Sequence, residues 1–209
     1  MIEAQVLVLA KEPVAGRVKT RLTPELSHEQ AAEVAQASLE DTLDAVRRCD
    51  LRSRVLVVDG LVTAPSFTLQ PQTGGPLDVR IAAAFDDAWA AHRLPMLLVG
   101  MDTPQLSASL LETVLSALLS PGVDAVLGLA HDGGWWGLGL RQPRPELIRG
   151  VLTSQSDTGQ EQRQRLLGAG LTVVDLPVLT DVDTVEDLRR VANLAAGSRF
   201  ARTVARVLA

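Results

Sequence analysis

Apolar runs of strand length alternate along the chain with segments whose apolar residues recur at helical spacing, the pattern of a mostly parallel β-sheet flanked by helices. Ala4 to Ala10 reads as a buried strand. Ser27 with Gln30 makes the capping box of a helix whose Ala32, Ala35, Leu39, Leu43 and Val46 form one apolar stripe. Arg54 to Asp59 is the next strand, and residues 60 to 77, rich in Pro, Gly, Thr and Gln, read as a long irregular connection to a helix over 78 to 92. Pro95 to Val99 is a short strand ending at Gly100-Met101-Asp102-Thr103-Pro104. Ser107 to Leu119 is helical, Asp124 to Leu129 is a strand, and the segment from His131 to Leu140 reads as a loop entering another. Asp157 with Gln160, and Asp183 with Glu186, fit helix starts on either side of a strand over Leu171 to Val178, and Ser198 caps a last short helix. The expectation is one α/β domain over residues 1–209, three layers deep (αβα). Open α/β sheets bind ligands at the carboxyl ends of their strands, and the notable polar residues of this chain follow its apolar runs.

Composition narrows the partners. An apolar content of 46% in 209 residues is enough to bury a large core without disulfides or structural metals. The lone Cys49 and the scattered His28, His92 and His131 match no disulfide framework and no zinc spacing, so a reducing compartment fits best. No leader-like segment precedes the first strand and no apolar run approaches the roughly 20 residues of a membrane span, so the expectation is a cytoplasmic protein that does not enter a membrane. A net charge of −5 argues against a general nucleic-acid or anionic-membrane surface. Any anion site must therefore be local. Of the 20 basic residues 18 are Arg, and the two Lys, Lys11 and Lys19, fall in one short segment.

That segment, Lys11 to Leu22, follows the first strand and sets Lys11, Arg17, Lys19 and Arg21 against the single acid Glu12. Gly16 permits close backbone approach, and Lys and Arg supply point-charge and bidentate contacts to phosphate oxygens. A polyphosphate site and a merely solvated basic loop are both open readings. It is not a Walker A loop, because no Gly directly precedes Lys19. Asp102 stands directly past a wholly apolar strand; one carboxylate plus substrate phosphates is a common way to hold Mg²⁺, and a turn-forming Asp before Thr-Pro is the alternative. Asp181 and Asp183 offer further carboxylates, although Asp183 also fits as the N-cap of the helix after it. Gly137 and Gly139 weaken a strand unless something must approach its backbone. Trp135 and Trp136 point to opposite faces, so one can pack inside while the other lines a pocket for a sugar or base. Asp132 is the candidate general base.

Together these segments resemble the DUF2064 family, also described as glycosyltransferase-like or radical-SAM/selenodomain-associated transferase 1, within the GT-A nucleotide-diphospho-sugar transferase superfamily. The resemblance rests on K-x-P-x-x-G-x-x-K-T-R-L at Lys11 to Leu22, G-x-D-T-P at Gly100 to Pro104, D-G-G and two aromatics at Asp132 to Trp136, and D-V-D-T-x-x-D-L at Asp181 to Leu188. Two departures stand out. The family's L-G-E-R is Leu77-Asp78-Val79-Arg80 here, keeping Arg80, and Trp-Trp replaces the usual Tyr-Tyr. The resemblance implies a GT-A fold and a transferase acting on a nucleotide or nucleotide-sugar and a small-molecule acceptor, with Mg²⁺ or Mn²⁺ as cofactor. Lys11, Gly16, Arg17, Lys19, Thr20, Arg21, Arg80, Gly133, Gly134 and Trp135 would then bind the nucleotide substrate, and Asp102, Asp181 and Asp183 the metal. A lone Asp after the central strand, paired with a C-terminal carboxylate, is similar to the metal site of sugar-phosphate and 2-phospholactate nucleotidyltransferases. Glycosyl transfer, nucleotidyl transfer with release of pyrophosphate, and nucleotide binding with little catalysis are the three resulting hypotheses.

Overall fold

A computed structural model describes residues 1–209. The long apolar first strand, β1 (Ile2–Lys11), lies inside the sheet, where its residues from Ala4 to Val8 are buried because helices cover both faces. Around it a seven-stranded sheet forms in the order β3 (Thr68–Pro71), β2 (Leu51–Asp59), β1, β4 (Met96–Gly100), β6 (Trp135–Leu140), β5 (Ala125–Leu129) and β7 (Val173–Asp175). Every pairing is parallel except those of β6, which runs antiparallel to both β4 and β5. The short loop from Leu129 to Trp135 leaves no room for a crossover helix, so β6 has to return antiparallel.

The helices make the outer layers. α1 (His28–Arg48) and α3 (Ala108–Leu119) pack on one face through Leu39, Leu43, Leu111 and Leu115. α2 (Leu77–His92), α4 (Pro145–Ile148) and α5 (Thr158–Gly168) cover the other through Phe85, Ile148 and Leu166. α6 (Val185–Leu194) and α7 (Arg199–Val207) form a third apolar cluster with α1, centred on Leu26, Leu188 and Phe200.

Several boundaries differ from the sequence expectation. Residues 60 to 77 contain the edge strand β3, whose exposed Thr68 and Leu69 carry no burial pattern. The strand expected over Leu171 to Val178 shrinks to the three residues of β7. Ser27 and Gln30 form their capping box as expected, but Asp157 makes no side-chain cap. Asp183 does not cap α6 either. Thr184 and Asp187 do: Thr184 Oγ1 accepts from Asp187 N at 3.2 Å while Asp187 Oδ2 accepts from Thr184 N at 2.9 Å. Thr184→Ala is therefore expected to lower apo stability by about 0.5–2 kcal/mol. Asp183→Ala, measured beside it in a thermal melt, should cost less than Thr184→Ala, and the opposite order would return the cap to Asp183.

The strands step outward from β1 to β2 and β3, and the chain then returns to the other side of β1 as β4. The crevice between the carboxyl ends of β1 and β4 is thus the point where the strand order reverses, which is where such sheets take their ligands.

Candidate active site

Four segments meet at that crevice: the Lys11 to Leu22 loop after β1, the turn at Asp102 after β4, the Asp132 to Trp135 entry into β6, and residues 180 to 183 after β7. Two backbone bonds and one from a side-chain amide bring the last of these in. Val182 N donates to Asp102 O at 3.1 Å, Gln105 Nε2 donates to Thr180 O at 2.9 Å, and His131 N donates to Leu179 O at 3.0 Å. Asp181 and Asp183 thereby stand beside Asp102, although about 80 residues separate them in sequence.

Lys19 is the hinge of this arrangement. Its backbone is left-handed (φ 49°), and its side chain is only 7% exposed. The ammonium lies 2.7 Å from Asp102 Oδ1 and 3.6 Å from Asp183 Oδ1, and donates to the Val182 carbonyl. Burial works against its charge, but Asp102, then Asp183 and Asp181, outweigh it and raise its pKa. Arg21, mostly exposed, donates to Asp183 Oδ2 at 2.8 Å. Asp181 is the opposite case. Burial is the main cause that pushes its pKa up to about 7; the charges of Asp102 and Asp132 add to this and Lys19 opposes it.

Two cavities open on either side of the carboxylates. One, of about 350 Å³, is lined by the four cations Lys11, Arg17, Lys19 and Arg21 and by Thr20, and shares Asp102 and Asp183 with the other. The other, of about 480 Å³, is lined by Asp102, Asp132, Asp181 and Asp183, both tryptophans and the polar run from Thr153 to Ser156. A larger depression of about 840 Å³ lies between α1 and α7, but it is an open groove whose walls are closed by ion pairs such as Arg206 with Glu33.

A buried oxygen without a partner is a costly feature unless a ligand completes it. Asp181 Oδ1 and Thr103 Oγ1, both from residues lining the second cavity, are such atoms. They fit a divalent cation and its water shell. No three acidic, His or Cys side chains form a ready-made ligand set, so an ion here would be held by one or two carboxylates and by substrate phosphate oxygens.

The remaining sequence candidates divide. Lys11 and Arg17 are exposed on the cationic cavity, and Gly16 is exposed with a positive φ of 76°. Asp132 is exposed, and its Oδ1 accepts from Gly134 N at 2.9 Å, leaving the other oxygen open to the pocket. Trp136 is buried against Gly128 with its indole N–H on Pro177 O, whereas Trp135 is half-buried on the cavity wall. Arg80 lines neither cavity. It donates to Gly75 O at 2.9 Å and Gln72 Oε1 at 3.1 Å and pairs with Asp59 at 3.5 Å, bracing the connection before α2. The glycines of β6 serve packing: a Cβ at Gly139 would collide with Val126 and Leu118. Gly133 has φ 90°, and a Cβ there would overlap the backbone of Ser156; one at Gly159 would overlap Gly134 O. These glycines seat the 153–158 loop on the Asp132 turn. That loop is the part of the pocket that the sequence reading missed, and its only signal is a run of small polar residues before α5.

Residues 32–155 match the model of the DUF2064 family, described as uncharacterized proteins conserved in bacteria. The chain belongs to this family. The matched span includes the motifs at Gly100 and Asp132, while those at Lys11 and Asp181 lie outside it. This DUF2064 member is 30% identical over 183 residues to 2-phospho-L-lactate guanylyltransferase of Haloarcula marismortui, across 86% of this chain and 82% of that protein. A crystal structure of a candidate nucleotide-diphospho-sugar transferase from Desulfovibrio desulfuricans superposes with a TM-score of 0.87 at 27% identity, across 98% of this chain and 94% of that one. The Rv0371c protein of Mycobacterium tuberculosis, solved in complex with manganese, shares the fold at a TM-score of 0.54 and 20% identity, across 90% of this chain and 97% of that one. The DUF2064 chain thus has the nucleotide-diphospho-sugar transferase fold, and its relatives are nucleotidyl and nucleotide-sugar transferases. None of its helices is long and apolar enough to cross a membrane.

Proposed function

We propose that residues 1–209 form one transferase domain that uses a nucleoside-diphosphate sugar, with a divalent metal held by one or two of Asp102, Asp181 and Asp183 together with substrate phosphate oxygens. The observation that carries this reading is the pair of cavities joined at the carboxylates, one cationic and one polar with an aromatic wall. Lys11, Arg17 and Arg21 bind and orient the diphosphate, and Lys19 holds the carboxylates in register. Asp132 accepts the proton of an acceptor hydroxyl through its open oxygen. The acceptor oxygen bonds to the anomeric carbon, and the bond from that carbon to the diphosphate breaks with its electron pair on the leaving oxygen. The metal, when bound, supplies positive charge that neutralises the diphosphate.

The guanylyltransferase relative favours a second reading, in which an acceptor phosphate attacks the α-phosphorus of an NTP and pyrophosphate leaves. Products separate the two: nucleoside diphosphate and transferred sugar for the first, pyrophosphate for the second.

Asp102→Asn tests the shared part. A ligand at 100 times its Kd stabilises by about 2.7 kcal/mol. In a thermal-shift assay with nucleoside diphosphates, the parent should gain more with Mg²⁺ or Mn²⁺ than without. The variant is expected to stay folded and to show the same shift in both conditions. A retained metal-dependent gain would remove Asp102 from the metal site.

A further inference from the structure

The two cavities differ in charge, and the difference bears on the acceptor. The first carries the cations that a diphosphate needs. In the second the only cation is Arg21, already paired with Asp183, while Asp102, Asp132, Asp181 and Asp183 bring four carboxylates. Two arginines on either side of the 153–158 loop in the chain are engaged elsewhere. Arg149 pairs with Asp86, and Arg165 donates to the carbonyls of Arg149 and Gly150 and to Glu161. Even with a divalent metal at these carboxylates, its charge is taken up by them and by the nucleotide's diphosphate, so no cationic side chain is left free for a phosphorylated or carboxylated acceptor.

The same cavity is well supplied for an uncharged ligand. Thr153, Ser154, Gln155 and Ser156 line one wall, and Ser154 is held in a left-handed conformation (φ 62°). Thr158 ties the loop down, its hydroxyl donating to Leu152 O at 2.7 Å and accepting from Gln155 N at 3.1 Å. Trp135 adds a flat apolar face, the surface on which the C–H face of a sugar ring packs, while hydroxyl, amide and carboxylate groups take its hydroxyls.

We propose that this second cavity binds an uncharged polyhydroxy acceptor, a sugar or sugar-like polyol, against Trp135 and the 153–156 loop. The inference rests on the transferase reading and sets this chain apart from its guanylyltransferase relative, whose name specifies a phosphorylated acid.

The test uses the full chain with Mg²⁺ and saturating nucleoside diphosphate, chosen from ADP, GDP, CDP and UDP by prior titration. Matched pairs are then titrated by calorimetry and ligand-observed NMR: glucose and glucose 6-phosphate, myo-inositol and its 1-phosphate, glycerol and glycerol 3-phosphate, with 2-phospholactate alongside. At least one neutral member is expected to bind tenfold or more tightly than its phosphorylated partner. Trp135→Ala should weaken that binding at least tenfold with nucleotide affinity within twofold of the parent. The exposed Gln155→Ala, which removes only a surface amide, should weaken it severalfold in a chain that melts like the parent. Equal or tighter binding of the phosphorylated members, no neutral binding up to 100 mM, or Gln155→Ala and Trp135→Ala variants that bind like the parent would each overturn the proposal. Nucleotide binding without polyol binding overturns this inference alone. Polyol binding by a chain that takes none of the four nucleotides overturns the transferase reading instead.

Discussion

Lys19→Met is expected to lower the melting temperature of the apo protein by roughly 4–12 °C. The ammonium is almost wholly buried and bonds Asp102, with Asp183 close by and Asp181 contributing to its pKa. Met keeps the packing of the stem but leaves the carboxylates facing one another. Breaking a buried pair costs about 3–5 kcal/mol. Asp102 is 43% exposed and screened by solvent, so about 2–3 kcal/mol is the better figure. At this chain length each kcal/mol shifts Tm by about 2–4 °C. Because the variant has unbalanced carboxylates, Mn²⁺ should recover more of its Tm than it adds to the parent. Lys11→Ala makes the contrast. Lys11 is exposed, and its ammonium makes no ion pair, so its loss should leave apo Tm nearly unchanged and weaken nucleoside-diphosphate binding about ten- to hundredfold. A parent-like melt for Lys19→Met would show that the ammonium does not hold the carboxylates in solution.

Gly133→Ala has the second large expected effect, for a steric reason. The position has φ 90°, where an L side chain is strained by about 1–3 kcal/mol. Its Cβ would also overlap the Ser156 carbonyl and come within 2.7 Å of Ser156 Cα, both backbone atoms that cannot rotate away. Overpacking of this kind costs about 1–3 kcal/mol more. The expected result is a lower Tm, faster hydrogen exchange over residues 153–158, and a fall in kcat/KM of roughly a hundredfold, the scale of a 1 Å misplacement. Nucleotide binding by the Lys11 to Arg21 loop should persist. The neighbouring Gly134→Ala is the control for the exchange measurement, since its Cβ would meet only the Asp132 carboxyl group, Oδ1 at 3.1 Å, on a side chain that can shift, and no backbone of the 153–158 loop. Parent-like exchange over 153–158 in Gly133→Ala would mean that the loop is not seated on this glycine.

Much of the architecture was legible in the chain. Strands buried on both faces must be apolar throughout and amphipathic helices must repeat at their own period, so β1, α1, β4 and α3 could be placed from side-chain pattern. The cationic loop and Asp102 were legible too, because polar residues that interrupt an apolar run mark a strand end. β3 was not, because an exposed edge strand buries neither face and leaves no pattern.

The tertiary structure alone decided which of these ends face one another and what each side chain does there. A lysine that ties carboxylates together is spelled like one that waits for phosphate; only burial and the 2.7 Å contact with Asp102 distinguish Lys19 from Lys11. Likewise Thr184 rather than Asp183 caps α6, since a cap depends on the dihedral angles at the junction and either residue type can serve. Arg80 became a brace because its guanidinium finds Gln72, Gly75 and Asp59 through space. The sequence raised close approach at Gly137 and Gly139 but not at Gly133 and Gly159, where something comes close too. That it is the backbone of the 153–158 loop, and with it the polar wall of the second cavity, follows from contacts between segments about 25 residues apart, which no local pattern encodes.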